Sequence, residues 1–175
     1  MNKNDIRLIA KKNRIIKTLH QRNVQNINIK YNLINNFDFH NKNVAIYLST
    51  PDEVDTWNII KELDKSNLFT PKIYNDNLHF SKFINNFSKN KFNILECNSP
   101  ITNVHLDYVI VPLLAFNSQL YRIGYGKGFY DKYLAKLKNT IFIGLAFDYP
   151  IQFTPDKHDV PLHYIINPYN IYKKL

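Results

Sequence analysis

Three of the chain's 4 glycines, Gly124, Gly126 and Gly128, alternate within one short stretch, Arg122-Ile-Gly-Tyr-Gly-Lys-Gly-Phe-Tyr-Asp131. Glycine concentrates where the backbone needs a positive φ or where a ligand must approach the main chain closely. An apolar run, Tyr108 to Phe116, precedes the stretch. After it, Tyr130, Tyr133, Leu134 and Leu137 recur at the spacing of one helix face. The order is therefore strand, long loop, glycine turn, helix. Exposed amides of such a turn, together with the start of the helix, suit a phosphate group.

The spacing matches neither the dinucleotide fingerprint nor the P-loop. Taken alone, a tight surface turn explains it equally well. Its charged company adds to the anion reading: Arg122 stands before the turn, Lys127 inside it and Asp131 at its end. Two cations and a carboxylate suit a nucleotide phosphate carrying Mg²⁺.

Residues 3 to about 22 read as a helix, with Ile6, Ile9, Ala10, Ile16 and Leu19 as its apolar stripe. Lys3, Arg7, Lys11 and Arg14 form a basic ridge on another face, which a solvated surface would explain. A polar stretch follows, then a buried strand, Val44 to Leu48. Thr50-Pro51-Asp52-Glu53 has the form of a capping box leading into a helix from Trp57 to about Ser66. In the less informative middle, Lys72–Tyr74 and Phe92–Leu95 read as short strands and Phe80–Phe87 as a weak helix or loop. Asp107–Pro112 and Thr140–Phe147 are near-continuous apolar strands, and Tyr164–Asn167 closes the chain with a short one. This alternation predicts a single three-layer α/β/α domain over residues 1–175, Rossmann-like, with a mostly parallel sheet. The ligand site is then expected at the carboxyl ends of the strands, where the Glu53 and Arg122–Asp131 loops emerge.

A hydrophobic content of 45% is that of a globular chain. The net charge of +9 invites a nucleic-acid reading, but Lys and Asn are spread along the whole chain, and steering of a small polyanion accounts for the charge as well. The single Cys97 excludes an internal disulfide and reads as a buried apolar residue in a reducing cytoplasm. The longest uncharged apolar run, about nine residues, falls short of the roughly 20 that a membrane helix needs. The N-terminus lacks the form of a secretory signal, while its basic, acid-poor character leaves organellar import open.

The glycine stretch resembles the signature of the 5-formyltetrahydrofolate cyclo-ligase (5,10-methenyltetrahydrofolate synthetase) family, R-[LI]-G-x-G-[KG]-G-[YF]-Y-D, at every position. The resemblance extends over nearly the whole chain. Lys3 and Arg7 match the K-x-x-x-R that opens the family's first helix, and Arg14 matches a further arginine. Glu53-Val-Asp-Thr56 matches E-[VI]-[DE]-T, Asp107–Pro112 the D-[LY]-[VI]-[IL]-[VI]-P strand, and Ala115-Phe-Asn117 the A-F-[DN] segment. Thr154–Asp159 resembles L-P-x-x-x-[HW]-D, with threonine for leucine. Members often carry a glycine where Leu120 or Tyr121 stands, a departure expected to stiffen the turn before Arg122.

The resemblance implies ATP- and Mg²⁺-dependent closure of 5-formyltetrahydrofolate to 5,10-methenyltetrahydrofolate, releasing ADP and phosphate. It implies catalytic roles for Arg122, Lys127 and Asp131. ATP would be bound by Lys3, Arg7 and the run Arg122, Ile123, Gly124, Tyr125, Gly126, Lys127, Gly128, Phe129 and Tyr130. The reduced folate would meet Leu48, Glu53, Tyr125, Gly126, Lys127, Gly128 and Phe129, with Glu53 accepting from the pterin's amino and amide donors. Asp131 and Asp159 would lie at the metal, although a lone loop aspartate is more often a turn former. His158 reads as structural or as acting through a neighbour. The expected partners are the two small substrates, with no nucleic acid, no membrane and a monomeric chain. Two rivals are a catalytically silent folate- or nucleotide-binding relative and a basic nucleic-acid-binding module.

Overall fold

The computed structural model describes residues 1–174. Along the chain come helices α1 (Lys3–Ile16) and α2 (Leu19–Asn36), strand β1 (Val44–Ile46), the single-turn helix α3 (Trp57–Ile60) and a 3-10 turn (Lys65–Asn67). Strands β2 (Leu68–Tyr74), β3 (Asn77–Lys82), β4 (Phe87–Lys89), β5 (Leu95–Cys97), β6 (Tyr108–Pro112), β7 (Ala115–Phe116) and β8 (Arg122–Ile123) follow. Helix α4 (Phe129–Leu134) and strands β9 (Ile141–Leu145), β10 (Tyr164–Ile166) and β11 (Ile171–Lys173) complete it.

Seven strands form one sheet in the order β11-β10-β9-β6-β1-β2-β3. The five inner strands are parallel, and β3 and β11 pair antiparallel at the two edges. Strand alternation sorts the core into two faces. Ile46, Ile110 and Ile143 stand in register and pack with Ile29 and Leu33 of α2. Their neighbours Ala45, Val109 and Phe142 point the other way, toward Leu134 of α4. With a helix layer on either side, the parallel strands are buried on both faces, which is why they read as unbroken apolar runs.

The predicted three-layer α/β/α architecture is found, while several local expectations are corrected. The helix expected over 3–22 breaks at Lys17, where the backbone is extended, and restarts under a Thr18–Gln21 capping box. Helix α2 occupies the stretch read as merely polar, because only Ile29 and Leu33 on it are buried. Helix α1 buries only part of its expected stripe, together with one residue of the basic ridge. Ile6, Ala10 and Arg14 are buried, whereas Ile9, Ile16 and Leu19 are exposed.

The helix expected from Trp57 to Ser66 stops at Ile60, and Thr50–Glu53 is not its start. The Glu53 carboxylate instead accepts from the Thr50 amide and hydroxyl, closing a local turn. Phe80–Phe87 is neither helix nor loop at its start: β2 and β3 form a hairpin through Asn75 and Asp76, both at positive φ, which fits the twist of a two-residue hairpin turn. Phe92–Ile94 is a turn held by the Asn90 side chain, and the strand begins only at Leu95. The last strand is one half of the β10–β11 hairpin.

The turn before Arg122 is not stiffened by Leu120 so much as loaded by it. Leu120 sits at φ 63, a left-handed conformation costing about 1 kcal/mol for a side-chain-bearing residue. Its side chain is 2% exposed, so burial offsets that cost. Asn117 fixes the same turn by accepting from the Gln119 and Tyr121 amides.

Candidate functional site

Strand order reverses direction between β1 and β6: from β1 the chain goes to β2 and β3 on one side, then returns to β6 on the other. Their carboxyl ends open on a cavity of about 520 Å³, bordered by Tyr47 and Leu48 beyond β1 and by Pro112 of β6. Every residue that the resemblance assigns to ATP, folate or the metal lines it: Lys3, Arg7, Leu48, Glu53, the whole run Arg122–Asp131, and Asp159; Arg14 does not. His158 does not, and is exposed.

The β7–β8 hairpin delivers Arg122 to this cavity, and the glycine turn follows directly. Gly126 and Gly128 have φ of 100° and 68°, so both need the freedom expected of them. Gly124 does not: its φ is not positive, and a Cβ built on it would meet nothing within 4 Å. Gly128 is the N-cap of α4 and offers no side-chain cap to that helix.

The cations are already held. Lys3 donates to both Asp156 and Asp159, across the mouth from α1 to the loop before β10. Burial pulls the Lys3 ammonium down, but its hydrogen bonds to the two aspartates outweigh this and leave its pKa raised. Arg122, 4% exposed at its side chain, donates to Asp131 at 2.9 Å. The Arg7 Nε donates to the Gly124 carbonyl, and its Nη1 donates to Asn4. The Lys127 ammonium lies 5.1 Å from the centre of the Phe92 ring.

Each aspartate assigned to the metal uses one oxygen for protein bonds. Asp131 Oδ1 accepts from Arg122 and from the Val160 amide, and Asp159 Oδ2 from Lys3 and the Asp156 amide. No group of three or more His, Cys, Asp or Glu side chains among the described residues forms a metal site. Two carboxylates suit Mg²⁺ arriving on a nucleotide, since that ion takes one or two carboxylates, phosphate oxygens and water.

Around Glu53 stand three phenols. Burial first, then the Glu53 charge, pushes the hydroxyls of Tyr47, Tyr125 and Tyr130 above their ordinary range, so all three stay protonated. Among the described residues, the buried Tyr130 oxygen has no hydrogen-bond partner.

Part of the cavity was not legible in advance. Its apolar wall is built by Pro71, Ile73 and Leu78 of the β2–β3 hairpin and by Phe92, Ile94 and Leu95 of the β4–β5 hairpin. Phe92 packs on Phe129 of the glycine stretch, ring centres 5.9 Å apart. Glu96 braces this wall by accepting from the Ile73 amide and from Asn90. Asp156 was also missed, although its place three residues before Asp159 was a usable signal.

A cavity at the point where a parallel sheet reverses its order is the ligand position of the α/β enzymes that act on small molecules. Comparison with known proteins narrows this class. A sequence model of the 5-formyltetrahydrofolate cyclo-ligase family matches residues 2–168. The 5-formyltetrahydrofolate cyclo-ligase of Mycoplasma genitalium is 35% identical over 127 residues, covering 71% of this chain and 72% of that one. That of Haemophilus influenzae is 33% identical over 140 residues, covering 71% and 75%. The solved structure of Aquifex aeolicus 5,10-methenyltetrahydrofolate synthetase superimposes with a TM-score of 0.85 at 25% identity, over 99% of this chain and 93% of that one. The chain belongs to the 5-formyltetrahydrofolate cyclo-ligase family. It is an ATP-dependent ligase of folate one-carbon metabolism. No helix among the described residues is long and apolar enough to cross a membrane.

Proposed function

We propose that this cavity closes 5-formyltetrahydrofolate to 5,10-methenyltetrahydrofolate at the expense of ATP, in one domain that acts as a cytoplasmic monomer without nucleic acid. The observation that carries the reading is the meeting, in one cavity, of Glu53 from the loop after β1 and of Lys3, Arg7 and the glycine turn from elsewhere in the chain.

The formyl oxygen attacks the γ-phosphorus and ADP leaves. N10 then attacks the activated formyl carbon and loses its proton, and the former formyl oxygen departs with the phosphate. The substrate's own oxygen is the nucleophile, so the protein's work is positioning and charge stabilisation. Lys3, Arg7 and Arg122 neutralise the phosphates, and the amides of Gly124–Gly128 face them. Lys127 meets the transferring phosphoryl group. Glu53 accepts from the pterin while Leu48, Tyr125, Phe129 and Tyr130 wall the flat rings. Asp131 and Asp159 would hold Mg²⁺, which when bound would screen the phosphate charge.

Oxygen labelling tests this sequence of steps. With ¹⁸O in the formyl group, the released phosphate should carry the label. Unlabelled phosphate formed alongside the methenyl product would contradict it.

A further inference from the structure

Arg14 is 2% exposed, the largest of the fully buried side chains among the described residues. It makes no ion pair with the described residues. Its guanidinium instead reaches three separate segments. Nη2 donates to the Leu113 carbonyl just beyond β6. Nη1 donates to the Asp52 carbonyl at 3.1 Å and to the Tyr125 hydroxyl at 3.3 Å. The cation also lies 5.6 Å from the centre of the Phe147 ring, and its Nε has no hydrogen-bond partner among the described residues.

A buried arginine is a costly way to fill space, and an apolar side chain of similar size often serves stability as well or better. The value of its planar fork is geometric, since it can hold several acceptors in fixed relation. The acceptors here are informative. Asp52 immediately precedes Glu53, and Tyr125 lies between Gly124 and Gly126. The arginine itself rides on α1, one stretch of helix from Lys3 and Arg7. Tyr125, 43% exposed as a whole, turns its hydroxyl inward to Arg14 and lies close enough to Glu53 for each to act on it.

We propose that Arg14 is a positioning residue that couples the folate half of the site to its nucleotide half, by holding the Glu53 loop and the glycine turn to α1 at once. This rests on the reading that Glu53 faces folate and the glycine turn faces ATP. A ligand that settles either loop also settles the other, so each substrate tightens the binding of its partner. The guanidinium never touches substrate. Its effect passes through Tyr125 and the main chain at Asp52.

The test is calorimetric, on the full chain. 5-Formyltetrahydrofolate and a non-hydrolysable ATP analogue with Mg²⁺ are titrated singly and then each in the presence of the other. Wild type should show mutual tightening of about fivefold or more. In Arg14→Lys and in Tyr125→Phe, each still folded by circular dichroism, the mutual factor should fall to about one and the two KM values should rise together. Tyr125→Phe, which removes one hydroxyl, decides the matter if the Arg14 variant does not fold. Full mutual tightening in the folded variants would overturn the inference. So would a wild-type chain that binds both ligands without mutual effect, while leaving the functional reading intact. A wild-type chain that binds neither would overturn both.

Discussion

Lys3 and Asp159 pair across the mouth of the cavity, although 156 positions separate them in the chain. Their side chains are 17% and 14% exposed, so the first turn of α1 is tied to the loop before β10 by a half-shielded ion pair. Without substrate, a cation assigned to ATP is thus shared between two carboxylates. Lys3→Met should raise the KM for ATP by about ten- to a hundredfold, the range expected for loss of a charge-assisted hydrogen bond. Asp159 keeps the Asp156 amide as a partner, so the melting temperature should move little. Steady-state kinetics beside a thermal melt checks both.

Asp131 serves two masters, the buried Arg122 and the Val160 amide. Asp131→Ala leaves Arg122 buried without its counter-charge and should destabilise the chain by about 3 kcal/mol. Asp131→Asn keeps an oxygen for both donors. It should fold, yet need more Mg²⁺ for half-maximal activity. Urea unfolding and a Mg²⁺ titration of the rate separate these effects.

Gly124 distinguishes a glycine required by the chain from one required by a ligand. Its backbone is not left-handed and its Cβ position is open, so Gly124→Ala should fold as wild type. A loss of activity in that folded variant reports close approach of substrate to the turn. Gly128→Ala, at φ 68°, should cost about 1 kcal/mol in stability as well. Melts and rates on the two variants make the comparison.

His163 gives the fold a pH dependence of predictable sign. Burial, and then the charge of Lys174, hold its pKa below the ordinary 6.5, and its Nδ1 accepts from the Phe142 amide. A depressed pKa means that the contribution is present above pH 6.5 and is lost as pH falls through the folded value. Thermal stability should therefore drop between neutral and mildly acidic pH, and His163→Asn should lose part of that slope.

The sheet and glycine turn were legible because their signals are local: apolar runs for strands buried on both faces, and glycines where φ is positive. Helix α1 was legible as a helix and only partly in its orientation. Of its expected stripe of Ile6, Ile9, Ala10, Ile16 and Leu19, only Ile6 and Ala10 are buried, with Ile6 packed on Ala115 and Ile123 of the β7–β8 hairpin, and Arg14 of the basic ridge is buried as well. Nothing in periodicity reveals that an arginine will be buried when its partners are two carbonyls and a phenol from distant segments. Helix α2 was hidden because only Ile29 and Leu33 mark its buried side, though Thr18 and Gln21 announced its start. The apolar wall formed by Phe92, Ile94 and Leu95 was missed for a related reason. A turn pinned by Asn90 places these side chains, and that pairing leaves no periodic trace.

Closure of the folate ring is followed by near-ultraviolet absorbance in a mixture of the purified chain, 5-formyltetrahydrofolate, Mg²⁺ and ATP. The conjugated methenyl product should appear as a rise in absorbance, matched by phosphate release, and a non-hydrolysable ATP analogue should abolish both. Binding of both ligands without any rise would contradict the assigned reaction and leave a silent binding protein in its place.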